Sequence, residues 1–349
     1  LKATIAAGDR VAGPAFTCGV VHEAMGRAGA NMHFIDAAED GFLMDEKALA
    51  RSQNRRHAIV LGELYGHTYD LATAGRAGSI APLIRIVDMA MTVPQPALFQ
   101  RLSRDDFAII SFGVGKSMYA GWGAMGFAGN KALADEVRKL REATLVGDGI
   151  GLRMRRAAKI FLRTAGHYSP IYSMAKRLRP QNRPQGPPTE RVEEIPPGWS
   201  QNETMGREWK EGATSLDCRL SAWNLERAAY FQEVRTKLAR RYRENLEGVE
   251  DLICPRTSPA ALSHFTIRVD PAHRDRLRQL LFQAGLNTIT MWDFPRFLDR
   301  AQFPNAFRRS REILNLPLIP GMSIRRLDGI CDDLKRCLTQ VREQSRQND

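Results

Sequence analysis

Cysteine is scarce in this chain. There are five in 349 residues, at Cys18, Cys218, Cys254, Cys331 and Cys337, and no two are spaced as CxxC. That excludes a disulfide framework and a CxxC zinc site, and points to a reducing, cytoplasmic setting. No apolar run reaches the roughly 20 residues that a membrane-spanning helix needs. No secretory signal pattern is present, and the sequence around Leu1 reads as the middle of a helix, which implies a preceding segment. The seven histidines show no HExxH or other metal-ligand spacing, and GxSxG is missing, so zinc-protease and nucleophile-elbow hydrolase chemistries are excluded.

Acidic residues are absent from one long stretch. Between Gly151 and Arg183 there are nine basic residues and no Asp or Glu: Arg153, Arg155, Arg156, Lys159, Arg163, Lys176, Arg177, Arg179 and Arg183. The remainder carries 42 basic and 39 acidic groups, so most of the net charge of +12 is local. Leu152, Ile160, Phe161, Tyr168 and Tyr172 are interleaved with these cations, a pattern suited to an anionic membrane surface, to phosphates or to nonspecific nucleic-acid contact. The plain alternative is a solvated insertion packed on its own domain. No motif for specific nucleic-acid recognition is present. Pro180 to Gly198, rich in Pro, Gln and Glu, reads as a linker or lid.

What is present is a β-then-α alternation over residues 10–145. Apolar runs at Arg10–Ala12, Met32–Ile35, Ala58–Leu61, Leu83–Val87, Phe107–Phe112 and Ala124–Ala128 alternate with helical stretches, one of them Val20–Gly29. The pattern predicts an α/β fold with a large, mostly parallel, helix-covered sheet. Downstream, a long helix is expected over Leu220–Leu246. A smaller α+β unit should follow, with strands at Ser263–Val269 and Thr288–Trp292 and helices at Arg274–Ala284, Ala306–Leu314 and Arg325–Val341. The expected division is a cofactor-binding α/β domain over 1–215, with an insertion and linker at about 146–205, and a C-terminal part over 216–349.

Two phosphate-loop patterns fail on context. Gly115-Lys116-Ser117 resembles the end of a P-loop, but Ile110 stands where its first glycine belongs. Gly121 to Gly126 spells GxGxxG yet leads into a strand-like run, not a helix. A better reading joins Asp88, ending an apolar strand, with Lys116 in a glycine-rich loop. Pyridoxal phosphate needs a lysine amine for its Schiff base and a carboxylate to keep its ring nitrogen protonated. Ser111 and the nearby glycines offer a hydroxyl and backbone N–H groups for its phosphate.

These residues, with Gly8 to Leu49, Leu64-Tyr65-Gly66, Val87 to Ala90, Ser111 to Lys116, Arg219-Leu220-Ser221 and Ala306 to Ser323, resemble the DegT/DnrJ/EryC1/StrS sugar aminotransferases of fold type I. The resemblance covers the chain outside about 145–205. It implies that Lys116 forms the internal aldimine and moves the proton, that Asp88 pairs with the pyridine nitrogen and that Ser111 contacts the phosphate. Arg219 would reach in from the partner subunit of a homodimer with shared active sites. It implies ping-pong transamination, with glutamate as amino donor and a nucleotide- or lipid-linked keto-sugar as acceptor, in polysaccharide or antibiotic assembly. Lys116 argues against the family's dehydratase branch, where a histidine replaces it.

The surroundings of that pair depart from the family pattern. Cys18 stands in place of the aromatic that stacks on the cofactor ring, with Phe16 close by. Met91 stands in place of a Gln or His, and Trp122 in place of a Glu. Gly113 replaces a His, and Asp217-Cys218 replace Asn-Tyr. No Pro-x-x-His pattern is evident around Trp292 to Pro295, and the Gly-Ser/Thr phosphate loop expected before Leu1 is not in the sequence. An acidic Asp217 repels a phosphate unless something compensates it. The departures fit either a divergent aminotransferase with an unusual substrate, or a weakly active or inactive relative acting as a scaffold at the inner membrane face. The presence of both Lys116 and Asp88 favours the enzyme.

Overall fold

The computed structural model describes residues 1–51, 56–74, 79–113, 115–166, 210–254, 263–286 and 288–348. Five apolar runs form a parallel ladder: β1 (Arg10–Pro14), β2 (Asn31–Ile35), β3 (Arg56–Gly62), β4 (Ser79–Asp88) and β5 (Asp106–Ser111). β6 (Ala124–Ala128) closes the edge antiparallel to β5, giving the order β2-β1-β3-β4-β5-β6. The inner strands are apolar on both faces because helices cover both sides, and Ile59, Leu61, Val87 and Ala108 lose all contact with solvent. α1 (Gly19–Arg27), α2 (Glu46–Arg51), α3 (Pro96–Gln100) and α4 (Lys131–Thr144) connect or flank the strands, and α5 (Ile150–Gly166) follows them. After α1 the backbone turns at Gly29, whose φ of 74° is the left-handed conformation that glycine accepts without strain. This is the α/β architecture with a mostly parallel sheet that the alternation predicts.

The second body begins with α6 (Ser215–Leu225) and α7 (Ala228–Leu246). α6 is started by a reciprocal capping box: Thr214 accepts from the Asp217 backbone N–H while the Asp217 carboxylate accepts from Thr214 N. A three-stranded antiparallel sheet follows, made of β7 (Leu252–Ile253), β8 (Phe265–Val269) and β9 (Ile313–Leu316) in the order β7-β8-β9. It is packed by α7, α8 (Pro271–Gln283) and α10 (Ile324–Asn348), with a core that includes Tyr242, Phe265, Ile267, Leu314 and Leu334. α9 (Pro304–Glu312) leads into β9.

Four expectations are corrected. Residues 1–8 form turns, not a helix. The expected single helix over Leu220–Leu246 is two, interrupted at Glu226-Arg227. Leu220, Leu225 and Phe231 pack against the large-sheet core, Leu238 and Leu246 against the small one, so the chain redirects between them. The helix expected over Ala306–Leu314 stops at Glu312. Ile313 to Leu316 are all buried and pair with β8, because so short an apolar run suits a strand as well as a helix. The strand expected over Thr288–Trp292 is reduced to one bridge, Ile289 with Asn315. Beyond it Trp292 and Phe294 pack with Phe16, Tyr65 and Met91 instead of extending the small sheet.

Candidate active site

In open α/β sheets ligands bind beyond the carboxyl ends of the strands, and the predicted site residues gather there. Asp88 is the last residue of β4, in register between Gly62 of β3 and Ile109 of β5. Its Oδ1 accepts from Ala90 N at 2.9 Å. Burial raises the Asp88 carboxyl above its ordinary range, opposed by the Ala90 N–H and by the positive charge of Lys116. Ser111 ends β5, and its Oγ accepts from Gly113 N at 3.3 Å. Lys116 follows in the next turn, half-buried; its backbone N donates to Gly113 O at 3.3 Å, and its amine makes no hydrogen bond or ion pair among the described residues. Its Nζ lies 5.6 Å from the centroid of the Trp292 ring. Ser117 Oγ donates to Met91 O at 3.2 Å, which ties the lysine turn to the loop after Asp88.

Three other predicted positions have different surroundings. Met91 faces a buried cluster with Phe16, Tyr65 and Ala306, and serves the site through its backbone carbonyl. Phe16 is spent in the same cluster. Cys18 is the residue before α1, half-buried, and its thiol is felt by the Tyr65 hydroxyl. Arg219 is exposed on α6, and its guanidinium makes no ion pair or hydrogen bond among the described residues.

Asp217 is compensated from the basic segment. Arg156 on α5 places Nη1 3.8 Å from Asp217 Oδ2 and Nη2 3.1 Å from Glu211 Oε2, and its guanidinium lies 4.4 Å from the Trp122 ring centroid. Two departures from the family pattern, Asp217 and Trp122, thus meet at one arginine. Gly121, the first glycine of the GxGxxG string, belongs to this packing. A Cβ on Gly121 would lie 2.7 Å from Ile160 Cδ1 and 2.9 Å from Asp217 Oδ1, at a φ of 109°. Elsewhere on α5, Arg153 pairs with Asp148, Arg155 pairs with Glu211 and Lys159 lies over Trp122. Arg153, Arg155, Arg156 and Lys159 are therefore engaged with their own molecule. Lys176, Arg177, Arg179, Arg183 and the linker at Pro180 to Gly198 lie outside the described residues. No helix among the described residues is long and apolar enough to cross a membrane.

The loops after the strands also hold buried polar atoms that find no hydrogen-bond partner: Thr17 Oγ1 beyond β1, Tyr65 Oη beyond β3 and Thr92 Oγ1 beyond β4. Buried polar groups are normally satisfied, so this edge has the character of a ligand cradle. A carboxylate for a ring nitrogen, an uncommitted amine and a hydroxyl beside a backbone N–H fit pyridoxal phosphate. Sequence reasoning missed Arg156, Arg235, His264 and Trp292 near this site. Arg156 and Arg235 sit on helices crowded with other cations, and nothing in local spacing marks which arginine turns inward.

The fold and this donor set define a pyridoxal-phosphate-dependent aminotransferase of fold type I. The DegT/DnrJ/EryC1/StrS aminotransferase family model matches residues 1–155 and 208–335, and the chain belongs to that family. No curated protein sequence matches it. Among solved structures, the chain is similar to one described as a sugar aminotransferase from Streptococcus pneumoniae in its PMP form, with 17% identity and a TM-score of 0.69 over 97% of this chain and 84% of that one. S. venezuelae DesV in complex with a ketimine intermediate gives 20% identity and a TM-score of 0.66 over 96% and 79%. DesI with its TDP-sugar product gives 17% and 0.66 over 97% and 78%. At these identities the likeness is one of fold.

Proposed function

We propose that this aminotransferase moves an amino group from an amino acid, glutamate, to the ketone of a nucleotide-linked sugar, donor and acceptor using one site in turn. Pyridoxal phosphate, when bound, supplies an electron sink for the carbon that loses its proton. Asp88 holds the ring-nitrogen side, its carboxylate oriented by the Ala90 N–H. Ser111 Oγ and the Gly113 N–H lie where β5 ends and serve the phosphate. Lys116 Nζ takes the proton from the donor carbon and returns it to the acceptor carbon, a general-base role for which an amine without an ion-pair partner is suited. The observation that carries the reading is geometric: Asp88 and Ser111 end neighbouring strands, and the turn that follows carries Lys116 and is tied by Ser117 to the loop after Asp88. The TDP-sugar product of DesI supports a nucleotide-linked acceptor.

Protein incubated with pyridoxal phosphate and dialysed should retain about one equivalent with visible absorbance, and Lys116→Ala should lose that absorbance. A wild-type chain that retains none after reconstitution overturns the reading. The proposed working form is a homodimer in which the exposed Arg219 serves the partner's site. Light scattering of the reconstituted protein should give twice the chain mass, and a monomer with full activity removes Arg219 from the site.

A further inference from the structure

Hydrogen-bond donors near Lys116 exceed the acceptors that could satisfy them. Arg235, on α7, is 6% exposed. Its Nε donates to Leu318 O at 3.1 Å and its Nη2 to Ser117 O at 2.9 Å, while Nη1 is buried with no hydrogen-bond partner. No carboxylate among the described residues pairs with it. Trp292, whose ring faces Lys116 Nζ, also has a buried Nε1–H without a partner. The imidazole that feels both the Arg235 and Lys116 charges is no counter-ion. His264 is held down to about 4 by burial and by the charges of Arg235 and Lys116, so it is neutral at physiological pH, and its Nδ1 lies 3.1 Å from Ser263 Oγ. A buried guanidinium without a counter-ion is costly, and an orphaned N–H adds to the cost. An anion with several acceptor oxygens completes both donors at once.

We infer that Arg235 Nη1 and Trp292 Nε1 bind a carboxylate of the amino donor beside the Lys116 amine. The inference rests on the transaminase reading above and names the group that reading leaves unbound. Arg235 is hydrogen-bonded to the residue next to Lys116, so the anion it holds lies close to the reacting carbon. An amino acid carries its carboxylates there, whereas the phosphates of a nucleotide sugar lie farther off, beyond the sugar ring. The cofactor's own phosphate is served by Ser111 and the Gly113 N–H.

Calorimetric titration of the reconstituted holoenzyme with glutarate, its uncharged diamide and a nucleoside diphosphate separates these sources. Glutarate should bind and the diamide should not. Trp292→Phe, which keeps an aromatic ring and removes only the N–H, should weaken glutarate by about tenfold, and Arg235→Gln by up to about a hundredfold. In the first half-reaction, followed by the cofactor's absorbance, glutamate should show the same losses, and they should exceed those for an amine without a carboxylate. Equal losses for the charged and uncharged ligands would assign Arg235 a purely structural role and overturn the inference. So would a loss confined to the nucleoside diphosphate, or a fall in pyridoxal phosphate retention without a change in glutarate binding. Wild-type protein that takes up no cofactor overturns the transaminase reading itself, and glutarate binding to that protein still reports on the arginine.

Discussion

At the scale of single residues, burial decides what the polar side chains do. His22 has no exposed surface; its Nε2 donates to Pro14 O at 2.9 Å, and the rings of Phe34 and Phe297 meet it edge-on. Desolvation lowers its pKa from 6.5 to about 4 against the opposing pull of the Pro14 carbonyl. The native state therefore resists a proton that the unfolded chain accepts below pH 6.5. The contribution is complete above that pH and is lost as pH falls from 6.5 to about 4, a difference of about 3 kcal/mol. His22→Phe should flatten the fall in denaturation midpoint over that window by a comparable amount, measured by urea titration at pH 7 and pH 4.5. An unchanged pH profile would mean that His22 is not held neutral. Asp88 shows the same competition near the chemistry, with burial raising its carboxyl and Lys116 and the Ala90 N–H restraining it.

At the scale of elements, the attachment of α5 depends on one arginine. Arg156 and Asp217 are 3% and 0% exposed, and each keeps a buried atom without a hydrogen bond, Nη1 and Oδ1. Removing one partner of such a pair strands the other charge, at a cost of about 3–5 kcal/mol. Arg156→Ala should lower stability by about that much. Asp217→Asn should be milder alone, since Arg156 keeps Glu211 as a partner, and should recover most of the loss when added to Arg156→Ala. Chemical denaturation of the four proteins closes the cycle, and additive effects would show that the two side chains are not coupled. The pair also sets the glycine stretch before β6, because Gly121 has room for no Cβ between Ile160 and Asp217. The first glycine of a string that spells a dinucleotide motif is here a requirement of helix packing.

At the scale of the whole molecule, the two sheets are joined by polar contacts between distant segments. Asp36, just after β2, accepts from Asn305 N at 3.0 Å and Ala306 N at 2.7 Å, acting as the acidic cap of α9 from the other body. Arg309 of α9 reaches back to the Gly41 carbonyl at 2.8 Å. Arg235 bridges the lysine turn and Leu318. Asp36→Ala should cost about 1–2 kcal/mol, the usual range for a lost cap, and should speed amide exchange at Asn305 and Ala306 before it affects β3 and β4. Uniform acceleration across both sheets would show that the cap does not act locally.

The alternation of apolar runs with helical stretches was enough to place the strands of the large sheet, because a strand buried on both faces must be apolar throughout. The order Asp88, Ser111, Lys116 along the chain, joined to the family resemblance, was enough to name the cofactor, because Asp88 and Ser111 end neighbouring strands and Lys116 follows in the next turn. Local pattern could not separate β9 from the end of α9, since Ile313 to Leu316 bury every side chain and so carry no period. Nor could it show that Arg156 answers Asp217 from 61 residues away, or that Arg235 bonds the residue after Lys116 and the Trp292 ring faces its amine. Those pairings join residues remote in sequence, and only packing decides which of many similar arginines loses its water. Spacing along the chain determined the fold and brought Asp88 and Lys116 forward as the pair proposed to serve the cofactor, and the tertiary structure decided the charges and donors around them.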